Sequence, residues 1–301
     1  MDSLAAAPGT GPATSPLPVL RPSRVAKSFS DLPTNRTLVM GILNVTPDSF
    51  SDGGRFSTAD DAIAEGLRMH YAGADMIDVG GESTRPNADK TTVEEEQKRI
   101  LPVVAALVKA GALVSVDTMH ASTAARAIDA GAAVVNDVSG LDFDPEMPAL
   151  IAERKVPYVL MHRRGNALTM NSLATYDDVV EDVISELMSV RDKFYAAGVS
   201  PEQIILDPGI GFAKTDEQNW DLLRSLERFD VLGHRVLVGA SRKRFLGTLL
   251  TMAGKAAAPA ERDHASAAVS TLAAANGAWC VRVHDVGPSL DAVKVSAAWT
   301  K

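Results

Sequence analysis

Eight short apolar runs in this chain end in residues that could do chemistry. In chain order the ends carry Asn44, Asp78, Asp117-Thr118, Asn136-Asp137, His162, Asp207, Ser241-Arg242-Lys243-Arg244 and Arg282-Val283-His284-Asp285. A polar group buried without a partner costs about 2–7 kcal/mol, so polar residues at all eight ends mark a site rather than a series of accidents. Asp78, Asp117, Asn136 and Asp207 offer acceptors and an amide to a flat, hydrogen-bonding heterocycle. Lys243, Arg282, Arg85 and His284 offer positive charge or donors to an anion. Loops with paired glycines after the first two runs, Gly53-Gly54 and Gly80-Gly81, can bring backbone N–H groups close to a phosphate. From the residues alone, the ligand is a heterocycle with an anionic leaving group.

The elements that must position these residues alternate. Candidate strands are Leu38–Asn44, Met76–Gly80, Leu113–Thr118, Val134–Ser139, Tyr158–His162, Ile204–Pro208, Arg235–Ser241 and Trp279–His284. Amphipathic segments such as Ala59–Ala72, Thr92–Lys109, Tyr176–Ala197 and Asp263–Ala275 lie between them. Glycines at 73, 131, 198 and 277 stop helices before the next strand. The strands are continuous apolar runs, as parallel strands covered on both faces should be. Eight such units in one chain predict an α/β fold, a closed (β/α)8 TIM barrel over residues 38–301, with functional groups where strands pass into loops. An open doubly wound sheet is the alternative. Its dinucleotide fingerprint starts at Gly209-Ile210-Gly211 and fails at Lys214, where the third glycine should stand. P-loop, His-Glu-x-x-His, G-x-S-x-G and cysteine metal signatures are also missing.

Composition narrows the partners. The 301 residues carry 30 basic and 38 acidic side chains, a formal charge of −8, which argues against a nucleic-acid coat or a polybasic membrane anchor. No run of apolar residues is long enough to span a bilayer. The single cysteine, Cys280, fits a reducing compartment and a cytoplasmic protein. Residues 1–37 hold six of the sixteen prolines and read as a flexible leader, with a hairpin expected near Pro18–Val25; Asp2 stands where a signal peptide needs a base.

The stretches Gly41–Gly54, Asp78–Pro86, Ser115–Thr118, Asn136–Gly140, Asp207–Lys214, Gly239–Phe245 and Arg282–Asp285 together resemble dihydropteroate synthase, from about Leu38 to the C-terminus. The resemblance implies a homodimeric (β/α)8 barrel. It implies condensation of p-aminobenzoate with 6-hydroxymethyl-7,8-dihydropterin diphosphate, giving 7,8-dihydropteroate and pyrophosphate with Mg2+ in folate biosynthesis. Carried over by position, Asp117, Asn136, Asp207 and Lys243 should hold the pterin, with Arg282 over its face. Asn44 should bind Mg2+ with the diphosphate, and Thr84, Arg282 and His284 should contact its phosphates. Loops carrying Asp52 and Arg85 should close over p-aminobenzoate beside Phe50, Pro86 and Ser241, with Asp52, Arg85 and Lys243 serving the reaction.

Departures and rivals sharpen these expectations. The family often reads Met-His-Met-x-Gly-x-Pro after the fifth strand; here it is Met161-His162-Arg163-Arg164-Gly165-Asn166-Ala167, and both arginines are expected to be solvated. His162 should be a hydrogen-bonded barrel histidine, Cys280 core, Trp279 and Trp299 packing groups, and Glu94–Glu96 a helix-start dipole cluster. Methyltetrahydrofolate-dependent methyltransferases share a pterin pocket but need no diphosphate-release apparatus. A catalytically silent paralogue acting on a partner protein should have lost the Ser-Arg-Lys segment, which this chain keeps.

Overall fold

The apolar runs pair side by side, each parallel to the next, until the last returns to the first. The computed structural model describes residues 28–46, 58–82, 91–166 and 168–300. The expected leader hairpin lies outside them. The strands are β1 Leu38–Asn44, β2 Met76–Gly80, β3 Val114–Asp117, β4 Val134–Asp137, β5 Tyr158–Met161, β6 Ile204–Asp207, β7 Arg235–Val238 and β8 Cys280–Val283. They follow one another in chain order around a closed barrel, with β1 bonded to both β2 and β8.

The surrounding helices are α1 Thr58–Tyr71, α2 Val93–Lys109, α3 Ala121–Asp129, α4 Met147–Arg154, α5 Val179–Ala196, α6 Asp216–Arg224, α7 Arg244–Leu249, α8 Asp263–Ala275 and α9 Val286–Trp299. Thr92 caps α2 through the Glu95 N–H, and Asp178 caps α5 through the Val180 and Glu181 N–H groups. The expected glycine stops hold: Gly73 and Gly131 have φ of +98° and +102°, which a β-carbon would strain. Several strands are shorter than the sequence suggests. Thr118, Ser139, His162, Pro208, Ser241 and His284 lie past the strand ends, although Thr118 and His162 still donate their N–H groups across to Asn136 O and Asp207 O.

Alternation sorts the side chains into two cores. Outward-facing residues such as Val39, Val79, Val116 and Val135 pack against the helices. Inward-facing Leu38, Met40, Met76, Leu113, Val134, Val159, Ile205, Leu237 and Cys280 fill the lower barrel. Residues 28–37 close that end. Leu32 joins the inner core, Phe29 packs on Trp279 with ring centroids 5.7 Å apart, and Arg235 lies over both rings. Arg36 grips Asp75 with bonds of 2.7 and 2.8 Å, and Asp75 also accepts the Val39 N–H. Cys280 and Trp279 are packing groups as expected, but Trp299 is not: it is 87% exposed at the end of α9.

Candidate active site

Two residues up five of the eight strands from the apolar layer, the barrel interior turns polar. Met76 gives way to Asp78, Leu113 to Ser115 and Asp117, Val134 to Asn136, Ile205 to Asp207, and Cys280 to Arg282. Arg282 reaches across the interior from β8. Its Nε donates to Asp78 Oδ2 at 2.6 Å and its Nη2 to Asp117 Oδ2. Asn136 Nδ2 donates to the same Asp78 oxygen at 2.8 Å. Burial opposes the charge of Arg282, but Asp78 and Asp117 overcome it and hold its pKa above the usual guanidinium range. Burial raises the pKa of Asp117 despite Arg282, with Asp78 and Glu96 adding like charge. Asp78 Oδ1 and Ser115 Oγ are buried without a hydrogen-bond partner among the described residues. Each such group costs about 1–3 kcal/mol, a cost that a hydrogen-bonding ligand can recover.

On the opposite wall, Lys243 follows β7 through a strained turn. Arg242 has φ of +58°, unusual for a residue with a side chain. The turn is held from several sides. Arg242 pairs with Asp263 at 2.6 and 2.8 Å, its N–H donates to Ser266 Oγ at 3.0 Å, and its carbonyl accepts from Arg262 Nη1 at 2.8 Å. Strain maintained by this many contacts commonly marks a functional turn. It delivers Lys243 to the β6 loop, where Nζ donates to the Ile210 carbonyl and lies 4.4 Å from the Phe212 ring centroid. Burial pushes the Lys243 ammonium down to about 8, against the pull of Asp207. Asp207 is itself raised by burial, and its Oδ1 accepts the Gly209 N–H at 2.7 Å.

Ser241 and His284 form a pair between the ends of β7 and β8. The His284 backbone N–H donates to Ser241 Oγ at 3.1 Å, and the hydroxyl lies 3.0 Å from His284 Nδ1, to which it can donate its proton. With the hydroxyl as donor, the imidazole proton sits on Nε2. Burial and the Arg242 and Arg282 charges push the His284 pKa down to about 3, so the ring is a neutral donor at pH 7.

The β5 side departs from expectation. Arg163 is buried, 6% exposed, with Nε donating to Gly165 O at 2.7 Å and Nη1 to Val138 O at 3.1 Å. Arg164 is half-buried and forks onto Glu186 of α5, its Nε 3.0 and 3.1 Å from the two carboxylate oxygens. Neither arginine is simply solvated. Local backbone carbonyls claim one and a helical carboxylate 22 residues away claims the other. His162 is fully buried, as expected of a barrel histidine, between Glu186 at 2.9 Å and Lys214 at 3.0 Å.

The sequence alone assigns Lys214 no role, yet the residue is buried, only 5% exposed. A lysine in place of the third glycine of a glycine-rich loop was the available signal. Ala213 before it has φ of +48°, a conformation costing about 1–2 kcal/mol outside glycine. Glu96 also departs from a simple dipole role. It is 1% exposed and accepts from Thr123 Oγ1 at 2.8 Å, with His120 Nδ1 at 3.1 Å. Arg99 of the same helix donates to Gly81 O at 3.0 Å, securing the base of the β2 loop.

Asn44 ends β1, half-buried and level with Gly80. Phe50, Asp52, Thr84, Arg85 and Pro86 lie outside the described residues. Among the described residues, no cluster of three or more His, Cys, Asp or Glu side chains could cage a metal. One amide oxygen fits Mg2+ held mainly by substrate phosphates and water, the usual arrangement for that ion.

A family model described as "Pterin binding enzyme" matches residues 40–284. Dihydropteroate synthase from Mycobacterium leprae is 50% identical over 263 residues, covering 87% of this chain and 93% of the relative. Among solved structures, dihydropteroate synthase from Xanthomonas albilineans in complex with 7,8-dihydropteroate superposes with a TM-score of 0.79 at 39% identity, over 89% of this chain and 95% of that one. The Yersinia pestis enzyme with a sulfonamide drug complex gives 0.82 at 38% identity, over 89% and 96%. This chain belongs to the pterin-binding enzyme family, among the dihydropteroate synthases.

Proposed function

We infer that this enzyme joins p-aminobenzoate to 6-hydroxymethyl-7,8-dihydropterin diphosphate, forming 7,8-dihydropteroate and pyrophosphate. The observation that carries the reading is the polar upper barrel, where Arg282 ties Asp78 to Asp117 while Asn136, Asp207 and Lys243 line the same interior. Acceptors and donors fixed in one place suit the edge of a pterin, whose ring presents both. Arg282, held at two positions, has a set plane on which such a ring can stack.

In the reaction the C–O bond between the pterin methylene and the diphosphate breaks, and its electron pair leaves with pyrophosphate. The aromatic amine supplies the new C–N bond and loses one N–H proton. That amine is uncharged at pH 7, so a strong base is not required; the larger demand is charge accumulating on the leaving group. Arg282 and the Nε2–H of His284 supply a cation and a donor for it, and Thr84 adds a hydroxyl. Mg2+, held by Asn44 and the diphosphate, would neutralise part of the same charge. Departure ahead of attack leaves positive charge that the electron-rich pterin can spread. Asp52 and Arg85, with Phe50, Pro86 and Ser241, would close over the amine.

We assign the protein to the cytoplasm because Cys280 is buried and unpaired, as in a reducing compartment. We assign it a homodimeric state supported by Leu272, Val295 and Trp299, exposed large apolar residues on the neighbouring helices α8 and α9. Sulfonamides, found on the Yersinia pestis relative, should compete here with p-aminobenzoate. The silent-paralogue reading is not favoured, since Lys243, Arg282 and Asp117 are all in place and partnered.

Purified enzyme with pterin diphosphate and Mg2+ should release pyrophosphate only when p-aminobenzoate is present, yielding dihydropteroate. Lys243→Ala should lower kcat/KM on the order of 10²-fold or more. Tight pterin binding without turnover in the wild type would overturn the reading.

A further inference from the structure

Lys214 is a buried amine, its pKa pushed down by burial to about 7 against the pull of Asp207, and its bonding capacity is spent inside the protein. Its Nζ donates to His162 Nδ1 at 3.0 Å, Gly209 O at 3.1 Å and Phe212 O at 3.0 Å. In its ammonium form it has three N–H groups, so none remains for a substrate. The bonds span the β6 loop from base to tip and tie it to the end of β5. The same loop forms the bed of Lys243: Ile210 accepts from its Nζ, and Phe212 lies 4.4 Å from it. At Gly211, an added β-carbon would come 2.6 Å from Lys243 Cδ. Three consecutive residues of this loop therefore fix where the Lys243 stem runs.

Lys214 is held in turn by a closed circuit. For His162 Nδ1 to accept, the ring must carry its proton on Nε2, and Glu186 receives it there at 2.9 Å. Burial and the Lys214 charge keep His162 neutral, its pKa pushed down to about 4. Burial would raise the pKa of Glu186, but the bonds from His162 and Arg164 bring it down to about 2. The Arg164 guanidinium lies 3.9 Å from the centroid of the Tyr176 ring, and Tyr176 Oη donates to Ala213 O at 2.9 Å. The chain of contacts leaves the β6 loop at Lys214 and returns to it at Ala213. Gly209 admits the path because its φ is +69° and a β-carbon there would come 1.8 Å from the His162 carbonyl oxygen.

We propose that Lys214 is a positioning residue for pterin capture, acting through the β6 loop on Lys243, with Glu186 and Arg164 fixing the histidine that Lys214 needs. The inference rests on the synthase reading, and wild-type turnover tests that reading before any variant is made. Lys214→Gln should raise the KM for pterin diphosphate about 10-fold and leave the KM for p-aminobenzoate unchanged, since displacing a binding group by about 1 Å can cost up to 10²-fold.

The deciding measurement is a double-mutant cycle. If Lys214 works through Lys243, the same substitution in a Lys243→Ala background should cost under about 2-fold. Equal cost in both backgrounds, or an equal rise in both KM values, would overturn the proposal. Should Lys214→Gln fail to fold, Glu186→Gln carries the same cycle from half-buried α5, with an expected effect of about 3-fold on pterin KM. Full additivity of that variant with Lys243→Ala would likewise overturn it.

Discussion

Below Asp78, Asn136 and Arg282 the barrel is filled by Leu38, Met76, Leu113, Val134, Ile205, Leu237 and Cys280, all buried and in mutual contact. Above that level the same strands carry Asp117, Asp207 and, past their ends, Lys243 and His284. On the strands that change, the switch takes two residues, the repeat of a β-strand face. In the lower half packing can be satisfied by apolar groups of suitable volume. In the upper half most groups depend on a particular partner, and among the described residues Asp78 Oδ1 and Ser115 Oγ have none. Stability and recognition are thus stacked on one set of strands, and substitutions should separate them by height.

Arg282→Met should do the most damage. It leaves Asp78 and Asp117 close together without their cation, and breaking a buried pair this way costs about 3–5 kcal/mol. Dihydropteroate formation per folded molecule should also fall on the order of 10²-fold or more. Urea denaturation and initial rates on the same preparation would check both. A variant that keeps either stability or rate would mean the ion network is not shared by the two functions. Leu237→Ala makes the matching cut below. It should cost about 2–5 kcal/mol, as large-to-small core substitutions do, while the folded fraction keeps wild-type kcat and KM. A large kinetic defect there would erase the division by height.

His162 places a pH dependence on the β5 side. Its folded pKa, about 4, lies below the unfolded value of 6.5, so the folded state disfavours the proton. The stability this contributes is present above pH 6.5 and is lost as pH falls from there toward 4. At pH 5 the loss from this residue should be about 2 kcal/mol, from 1.36 kcal/mol per pH unit over the 1.5 units below 6.5. Denaturant midpoints at pH 7 and 5 would measure it, and His162→Gln should flatten the difference. An unchanged slope in that variant would place the titration elsewhere, with His284 the other depressed histidine at the barrel mouth.

How much of this was legible in the sequence follows from the range of the interactions. Strand order and the polar rim could be read because continuous apolar runs and their polar ends are local patterns. Glycine stops could be read because backbone conformation is local too. Arg163 and Arg164 looked like a solvated charge run, since nothing nearby in sequence shows that Glu186, about two turns into α5, will meet Arg164. Glu96 looked like one of three equivalent helix-start acids until α3 brought Thr123 against it. Trp299 was expected to pack because tryptophan usually does, yet α9 ends with it facing outward. Lys214 was visible only as a broken glycine pattern; its partners are two carbonyls of its own loop and His162 at the end of β5, 52 residues earlier.

The finest test of the comparison uses three adjacent cations at the end of β7. Arg242 faces outward to Asp263, Lys243 inward to the Ile210 carbonyl, and Arg244 outward again to Asp216 at 3.3 Å. Arg244 is 76% exposed at its side chain, and an ion pair so solvated is worth about 0–1 kcal/mol. Arg244→Ala should therefore leave kcat and both KM values unchanged and shift stability by under about 0.5 kcal/mol. The control has force because the net charge removed is the same as in Lys243→Ala. If positive potential at the barrel mouth were what mattered, the two variants would weaken diphosphate binding alike, and raising salt would mimic both. If the position of one ammonium matters, only Lys243→Ala is impaired, and salt does not reproduce its defect.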